Sequence, residues 1–273
     1  MRQRSFLFWF ATVIVLLVFV LPLVWMYLTS FKTNYDIYST DIKKLLIFSP
    51  TIENYQDIFF GEKAFFRELS NTLIAAVAST ILVMLVALPA AYSFARYNTG
   101  YGHLLFITIS TRMFPAAVAA IPFFFGFKAL GLLDTQFGLT MLYLYFNVSF
   151  AVFLLFGFFR EIPVELEQAA MIDGYGRLAI LRRIIFPLIK PGAAITAVFC
   201  LIFSWNEFLF AFLFTRTDAR TVTIGLSTFW SAVEMAWGPM AGWTALTILP
   251  TLTAAWFMQR YIIRGLTFGA VKG

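Results

Sequence analysis

Long charge-free apolar runs limit what this chain can fold into. Residues 5–31, 69–95, 135–159 and 235–259 carry no charged side chain. Each exceeds the ~20 residues an α-helix needs to cross a hydrocarbon layer about 30 Å thick. Two runs of comparable length, 104–127 and 191–214, are interrupted once each, by Arg112 and Glu207. In lipid a segment must satisfy its own backbone, and the ~10-residue alternation of a membrane barrel is absent. The expected fold class is therefore all-α integral membrane. Six transmembrane helices are expected, at about 6–30, 70–95, 104–127, 136–159, 192–214 and 236–260, in one domain covering 1–273. Pro22, Pro89, Pro115, Pro122 and Pro250 stand within these runs and predict kinks.

Composition supports a membrane class. Only 12% of residues are charged and 61% are hydrophobic, whereas soluble domains carry roughly 25% charged residues. The net charge of +6 does not indicate nucleic acid, because most basic residues stand at the ends of apolar runs without interleaved aromatics. A lone cysteine, Cys200, and a lone histidine, His103, exclude an internal disulfide and a multi-ligand metal site built by this chain alone. No metal ligand and no catalytic residue is assigned. The opening MRQRSFLFWF begins like a signal peptide but has no small-residue cleavage site, so it is expected to stay as an anchor.

Six spans put both termini on one side of the bilayer. With the termini inside, Arg96, Arg160, Arg177, Arg182, Arg183, Lys190, Arg260 and Arg264 join Arg2, Arg4 and Lys272 on the cytoplasmic side. The opposite segments carry fewer basic residues, most of them in one long loop that also holds carboxylates. The positive-inside rule then selects an N-in, C-in topology.

The cytoplasmic loop 160–190 has the marks of a folded element. Pro163 suits a first helical turn, Glu165 and Glu167 favour the positive end of the helix dipole, and Gly174 can end the helix in a left-handed conformation. A short helix over 163–173 is predicted, and the paired Ala169 and Ala170 would let it approach a neighbour closely. Over 177–186, Leu178, Leu181 and Ile185 fall on one face with Arg182 and Arg183 elsewhere, an amphipathic pattern that Pro187 and Pro191 are expected to stop. From periodicity alone, an interfacial loop whose arginines meet lipid headgroups fits as well as a docking element.

The motif separates the two. EQAAMIDG, followed nine residues later by IIFP, resembles the cytoplasmic loop of binding-protein-dependent ABC importer permeases: Glu-Ala-Ala, three residues, Gly, nine residues, Ile-x-Leu-Pro. The matching positions are Gln168, Ala169, Ala170, Gly174, Ile184, Phe186 and Pro187. Gln168 stands where the family has glutamate and Phe186 where it has leucine; Glu167 could supply the carboxylate. STRMFP at 110–115, SWNEFLFAF at 204–212 and GLTFGAVKG at 265–273 are similar to carbohydrate-uptake permeases, and the short first outside loop resembles the maltose-type six-span partner.

The resemblance implies a type I ABC importer permease in a bacterial inner membrane, forming half of a pathway for a sugar, polyol or sugar derivative. It implies as partners a second permease subunit in a heterodimer, two cytoplasmic ATPase subunits and an extracytoplasmic solute-binding protein. ATP and Mg would be bound by the ATPases and no cofactor by this chain, which has no G-x-x-x-x-G-K-[ST] phosphate loop and is not expected to be an enzyme. Glu165, Glu167, Gln168, Ala169, Ala170, Asp173, Gly174, Arg177, Ile184 and Pro187 would contact or couple to the ATPase. The tail, with Gly269, Val271 and Lys272, would reach the same interface, the alternative being a loose terminus.

Arg112 and Glu207 are the two charges inside spans, where an unmatched charge costs at least ~2.5 kcal/mol. They are expected either to pair or to flank a polar cavity with Trp205 and Asn206 helping to line it; a buried pair that only fixes helix packing fits equally. The Gly238-x-x-x-Gly242 spacing reads as helix packing. An ion-gradient secondary transporter is the alternative function, but inverted repeats and midplane helix breaks are not evident in the sequence.

Overall fold

The structure is a computed structural model that describes residues 2–60, 65–230 and 235–270; the side chains of 2–7, 257, 258 and 260–270 are not included. In chain order the α-helices are α1 (Arg2–Ser30), α2 (Asn34–Ile37), α3 (Glu53–Phe60), α4 (Phe65–Tyr97), α5 (His103–Ser110), α6 (Ala116–Ala129) and α7 (Gln136–Glu161). They continue as α8 (Glu165–Ile172), α9 (Arg177–Ile180), α10 (Phe186–Trp205), α11 (Leu209–Phe214), α12 (Val222–Ser227) and α13 (Trp237–Ala270). Among the described residues the only β pairing is an isolated bridge between Trp230 and Met235.

Four stretches are long and apolar enough to cross a bilayer without a break: Phe8–Ser30, Phe65–Tyr97, Gln136–Glu161 and Arg177–Trp205. The run 104–127 is different. Thr99–Met113 and Ala116–Ala129 meet at 97°, because Phe114 is extended (φ −73°, ψ 129°) ahead of Pro115, the conformation that a following proline ring imposes. The run 192–214 also splits, with α10 ending at Trp205 and α11 starting at Leu209. The run 236–260 falls on α13. Six uninterrupted spans are therefore not what the described residues show. The other prolines expected to kink, Pro22, Pro89, Pro122 and Pro250, lie inside continuous helices.

The helices group into two compact units, one of Met1–Glu68 with Ile224–Leu249 and one of Leu69–Thr223 with Pro250–Gly273. In the first, Asn54 of α3 donates to the carbonyls of Ser30 and Lys32 at 2.9 Å each, covering the orphan end of α1. Phe65 and Phe229 meet the Trp243 ring edge-on at 4.7 and 5.5 Å. A Cβ on Gly238 would lie 2.6 Å from the Asn54 amide and one on Gly242 3.1 Å from Ile58, so the G-x-x-x-G spacing serves close packing of α13 on α3. No side chain of residues 8–24 in α1 is buried.

The second unit packs α4, α7 and α10 around Val83, Ala87, Ala91, Val152, Leu155, Phe159, Ile185 and Ala193. Lipid is as apolar as leucine, so this core is held by close fit rather than by exclusion of water. The alanines admit the neighbouring backbones, and a Cβ at Gly192 would lie 2.6 Å from the Phe158 ring. Polar contacts add direction: Asn147 donates to Ser204 at 2.9 Å, and Ser204 and Ser79 share a hydrogen bond at 3.1 Å.

Between α6 and α7 the chain turns on Asp134, whose φ is +56°. Its carboxylate accepts from the backbone N–H groups of Arg216, Thr217, Asp218 and Ala219 at 2.9 to 3.2 Å. Partial burial would raise the Asp134 pKa, but these backbone donors outweigh it and hold the group well below the ordinary carboxylate range. A depressed carboxylate stabilises the fold above its unfolded pKa and loses that contribution as pH falls through the folded one, here in acid below ~4. Asn tolerates the left-handed backbone but lacks the charge, so Asp134→Asn should cost about 2 kcal/mol at neutral pH. The cost should shrink as the pH is lowered below 4, read by thermal unfolding in detergent.

Candidate functional site

The loop between α7 and α10 folds as the sequence signals direct. Helix α8 covers Glu165–Ile172, with Glu165 and Glu167 in its first turn, two residues later at its start than predicted because Pro163 and Val164 form the entry turn. Gly174 takes φ +85°, its N–H bonding to Met171 and that of Tyr175 to Ala170, each at 3.0 Å. This pair is the Schellman arrangement, which needs a left-handed residue and so favours glycine.

The two faces of α8 are chemically distinct. Glu167 is 3% exposed and Ala170 is buried, so these two assigned contact residues turn inward, away from any partner. Glu167 accepts from the Tyr92 hydroxyl at 2.7 Å and from Arg96 Nε, both on α4. Arg96 also donates to the Ile162 carbonyl at 2.8 Å, and Tyr92 packs edge-on against Phe159 of α7 at 5.5 Å. One carboxylate thus ties α8 to α4 and, through Tyr92 and Arg96, to α7 and the loop entry. Glu165, Gln168, Ala169, Met171, Asp173 and Gly174 face outward, with Ile172 87% exposed at the tip.

The following segment departs from expectation. Ile180 and Ile185 are buried, whereas Leu178 is 78% exposed and Leu181 only half-buried. The proline residues do not stop the helix. Leu181–Ile185 forms a π-helical segment, α10 follows directly, and Pro187 lies just past the π turn inside the continuous run Arg177–Trp205, π turns and prolines both being places where the regular hydrogen-bond ladder is broken. The wider π turn shifts the inward face by one residue relative to an unbroken α-helix. Ile184 packs half-buried against the core; Arg177 lies over the Tyr97 ring at 5.1 Å. Pro187, with Pro163, Leu166 and Leu188, lines an apolar groove of about 410 Å³ at the loop base. Gly269 lies in α13, while Val271 and Lys272 fall outside the described residues.

Arg112 and Glu207 line one cavity of about 340 Å³ with Tyr143, Asn147 and Phe203. They form no ion pair. Arg112 donates to the Phe146 carbonyl at 2.8 Å and lies 5.0 Å from the Phe203 ring, and the Glu207 carboxylate accepts from the N–H groups of Phe210 and Ala211 at 2.9 and 3.0 Å. Trp205 is buried and Asn206 bonds back to the Ile202 carbonyl; neither is among the lining residues. Tyr143 and Asn147, which the sequence reading missed, are. Their signal was present: two polar side chains four apart on one face of an apolar helix. Among the described residues no group of three or more His, Cys, Asp or Glu could hold a metal.

This architecture is that of an ABC importer's membrane subunit. A chain of a bacterial transporter for the acidic polysaccharide alginate superposes with a TM-score of 0.79 over 95% of this chain and 96% of that one, at 22% identity. A chain of the MetNI methionine transporter superposes with 0.60 over 74% and 95%, at 17% identity. Residues 84–267 match the family described as binding-protein-dependent transport system inner membrane component, and the chain belongs to that family. Similar proteins include the trehalose transport system permease protein SugB of Mycobacterium tuberculosis, 34% identical over 93% of this chain and 92% of that protein. The trehalose/maltose transport system permease protein MalG of Thermococcus litoralis is 32% identical over 92% and 91%. The sulfoquinovosyl glycerol transport system permease protein SmoH of Agrobacterium fabrum is 30% identical over 92% and 88%. Membership of this family excludes the ion-gradient alternative.

A buried ion pair tolerates loss of both partners better than loss of one. Arg96→Met should therefore cost about 3–5 kcal/mol, and Arg96→Met with Glu167→Met appreciably less, measured by thermal unfolding of the detergent-solubilised chain.

Proposed function

We propose that this chain is one of two different permease subunits in an importer of a sugar, polyol or sugar derivative, and that α8 is the joint through which separate ATPase subunits drive it. The observation that carries the reading is the division of α8. Its inner face, Glu167 and Ala170, is bonded to α4 and buried in the core that α4 and α7 share, while its outer face leaves Ile172 and Met171 exposed. A helix fixed to membrane helices on one side and bearing uncovered apolar residues on the other fits a lever seated in a partner's cleft.

ATP and Mg then belong to the ATPases, and solute arrives from an extracytoplasmic binding protein. Trehalose and trehalose/maltose permeases among the relatives support the substrate class, and the alginate transporter structure includes a ligand-bound periplasmic protein. The N-in, C-in topology puts α8 on the ATPase side. The exposed apolar stretch 13–25 of α1 is suited to lipid or to the second permease. Gln168, Ala169, Asp173 and Gly174 remain as partner contacts; Lys272, Val271 and Gly269 extend the same interface.

Extraction of the native complex in mild detergent should bring down an ATPase and a second permease with this chain; a solitary, transport-active chain would refute the proposal. A Cβ at Gly174 meets open space, so substitution there strains only the backbone, by about 1–2 kcal/mol. Gly174→Val and Ile172→Asp should both insert normally yet lose most of the co-purifying ATPase.

A further inference from the structure

We infer that the cavity beside Arg112 is a solute subsite of this subunit, built for the hydroxyl groups of one uncharged sugar ring. The inference rests on the permease reading above and adds which residues touch the solute and what its charge is.

Two discontinuities converge on this cavity. The 97° break at Phe114–Pro115 separates α5 from α6, and residues 206–208 separate α10 from α11. Phe114 and Glu207 from these breaks, with Phe203 from the last turn of α10, line the same space of about 340 Å³. Non-helical backbone at membrane depth persists only where protein buries it or where it borders a polar cavity, and paired helix breaks are how membrane transporters expose backbone and side chains to a solute.

The lining matches a polyhydroxylated ligand. Arg112 spends one N–H on the Phe146 carbonyl and forms no ion pair among the described residues, so its other N–H groups remain for a ligand. Tyr143 is 2% exposed; its hydroxyl interacts with the Glu207 carboxylate, and both residues line the cavity. A phenol oxygen also accepts, so a ligand hydroxyl entering the cavity can donate to it. Asn147 directs its amide N–H to Ser204 and leaves its carbonyl as an acceptor. The rings of Phe114 and Phe203 form apolar walls, suited to the C–H faces of a sugar.

Charge decides between neutral and acidic solutes. One guanidinium and one carboxylate face the cavity and offset each other, so a ligand carboxylate or sulfonate would meet Glu207 as well as Arg112. A neutral ring satisfies donors and acceptors together.

The test uses the complete transporter, with its ATPases, second permease and binding protein, in proteoliposomes. Radiolabelled trehalose and maltose are the neutral probes and glucuronate the acidic one. The expected result is uptake of a neutral probe by the wild type. Arg112→Met and Tyr143→Phe should each lower that uptake at least tenfold while binding-protein-stimulated ATP hydrolysis stays within twofold, and Arg112→Lys should recover part of the loss. Uptake of glucuronate alone, or of none of the three, overturns the assignment. So does parallel loss of uptake and ATP hydrolysis in the variants, which marks a packing role, or wild-type uptake in both. Failure of the chain to assemble with an ATPase would instead strike the permease reading itself.

Discussion

The rest of the loop depends on one buried carboxylate. Glu167 sits at the junction of α4, α7 and α8, and both its oxygens are bonded, one to Tyr92 and one to Arg96. Removing water from a charge pair costs several kcal/mol per ion and is offset only when the geometry is good and the remaining hydrogen-bonding capacity is met. Both conditions hold here, since Arg96 also takes the Ile162 carbonyl. The result is a helix outside the membrane run that cannot drift relative to α4. A displacement of α8 must either move α4 or expose the pair, which gives the loop a rigid connection to the helices it serves.

The apolar runs carry most of the fold, because spanning length and absence of charge are properties of composition within a window. The Gly174 turn was legible for a similar reason: a glycine after a short periodic stretch has few other uses. The inward direction of Glu167 was not legible. A glutamate in a first turn reads as a favourable dipole partner, and only the third dimension supplies Arg96 and Tyr92 from a helix about seventy residues earlier. The sequence also could not show that Pro187 lies inside a continuous helical run rather than ending one, because the π segment before it depends on how Ile180 and Ile185 pack.

The cavity was half legible. Two charges interrupting apolar runs drew attention to Arg112 and Glu207, and both line it. Of the two expected arrangements they take the cavity rather than the pair, because each finds backbone partners first: Arg112 a carbonyl on α7, and Glu207 the N–H groups at the start of α11. Helix breaks create such backbone partners, so a charge next to a break need not seek another charge. That also accounts for the exclusion of Trp205 and Asn206, which belong to the last turn of α10 and to its cap.

The π segment Leu181–Ile185 acts as a phase setting. One extra residue in a turn rotates everything beyond it by about 100° relative to an uninterrupted α-helix. Ile189, Ala193 and Cys200 reach the core of the second unit only in that rotated frame. Were the segment to relax to ordinary α geometry, α10 would have to turn about its own axis or the loop would have to swing around it. A helix that can exchange one π turn for an α turn contains a built-in rotary step, placed where the polar loop enters the apolar span.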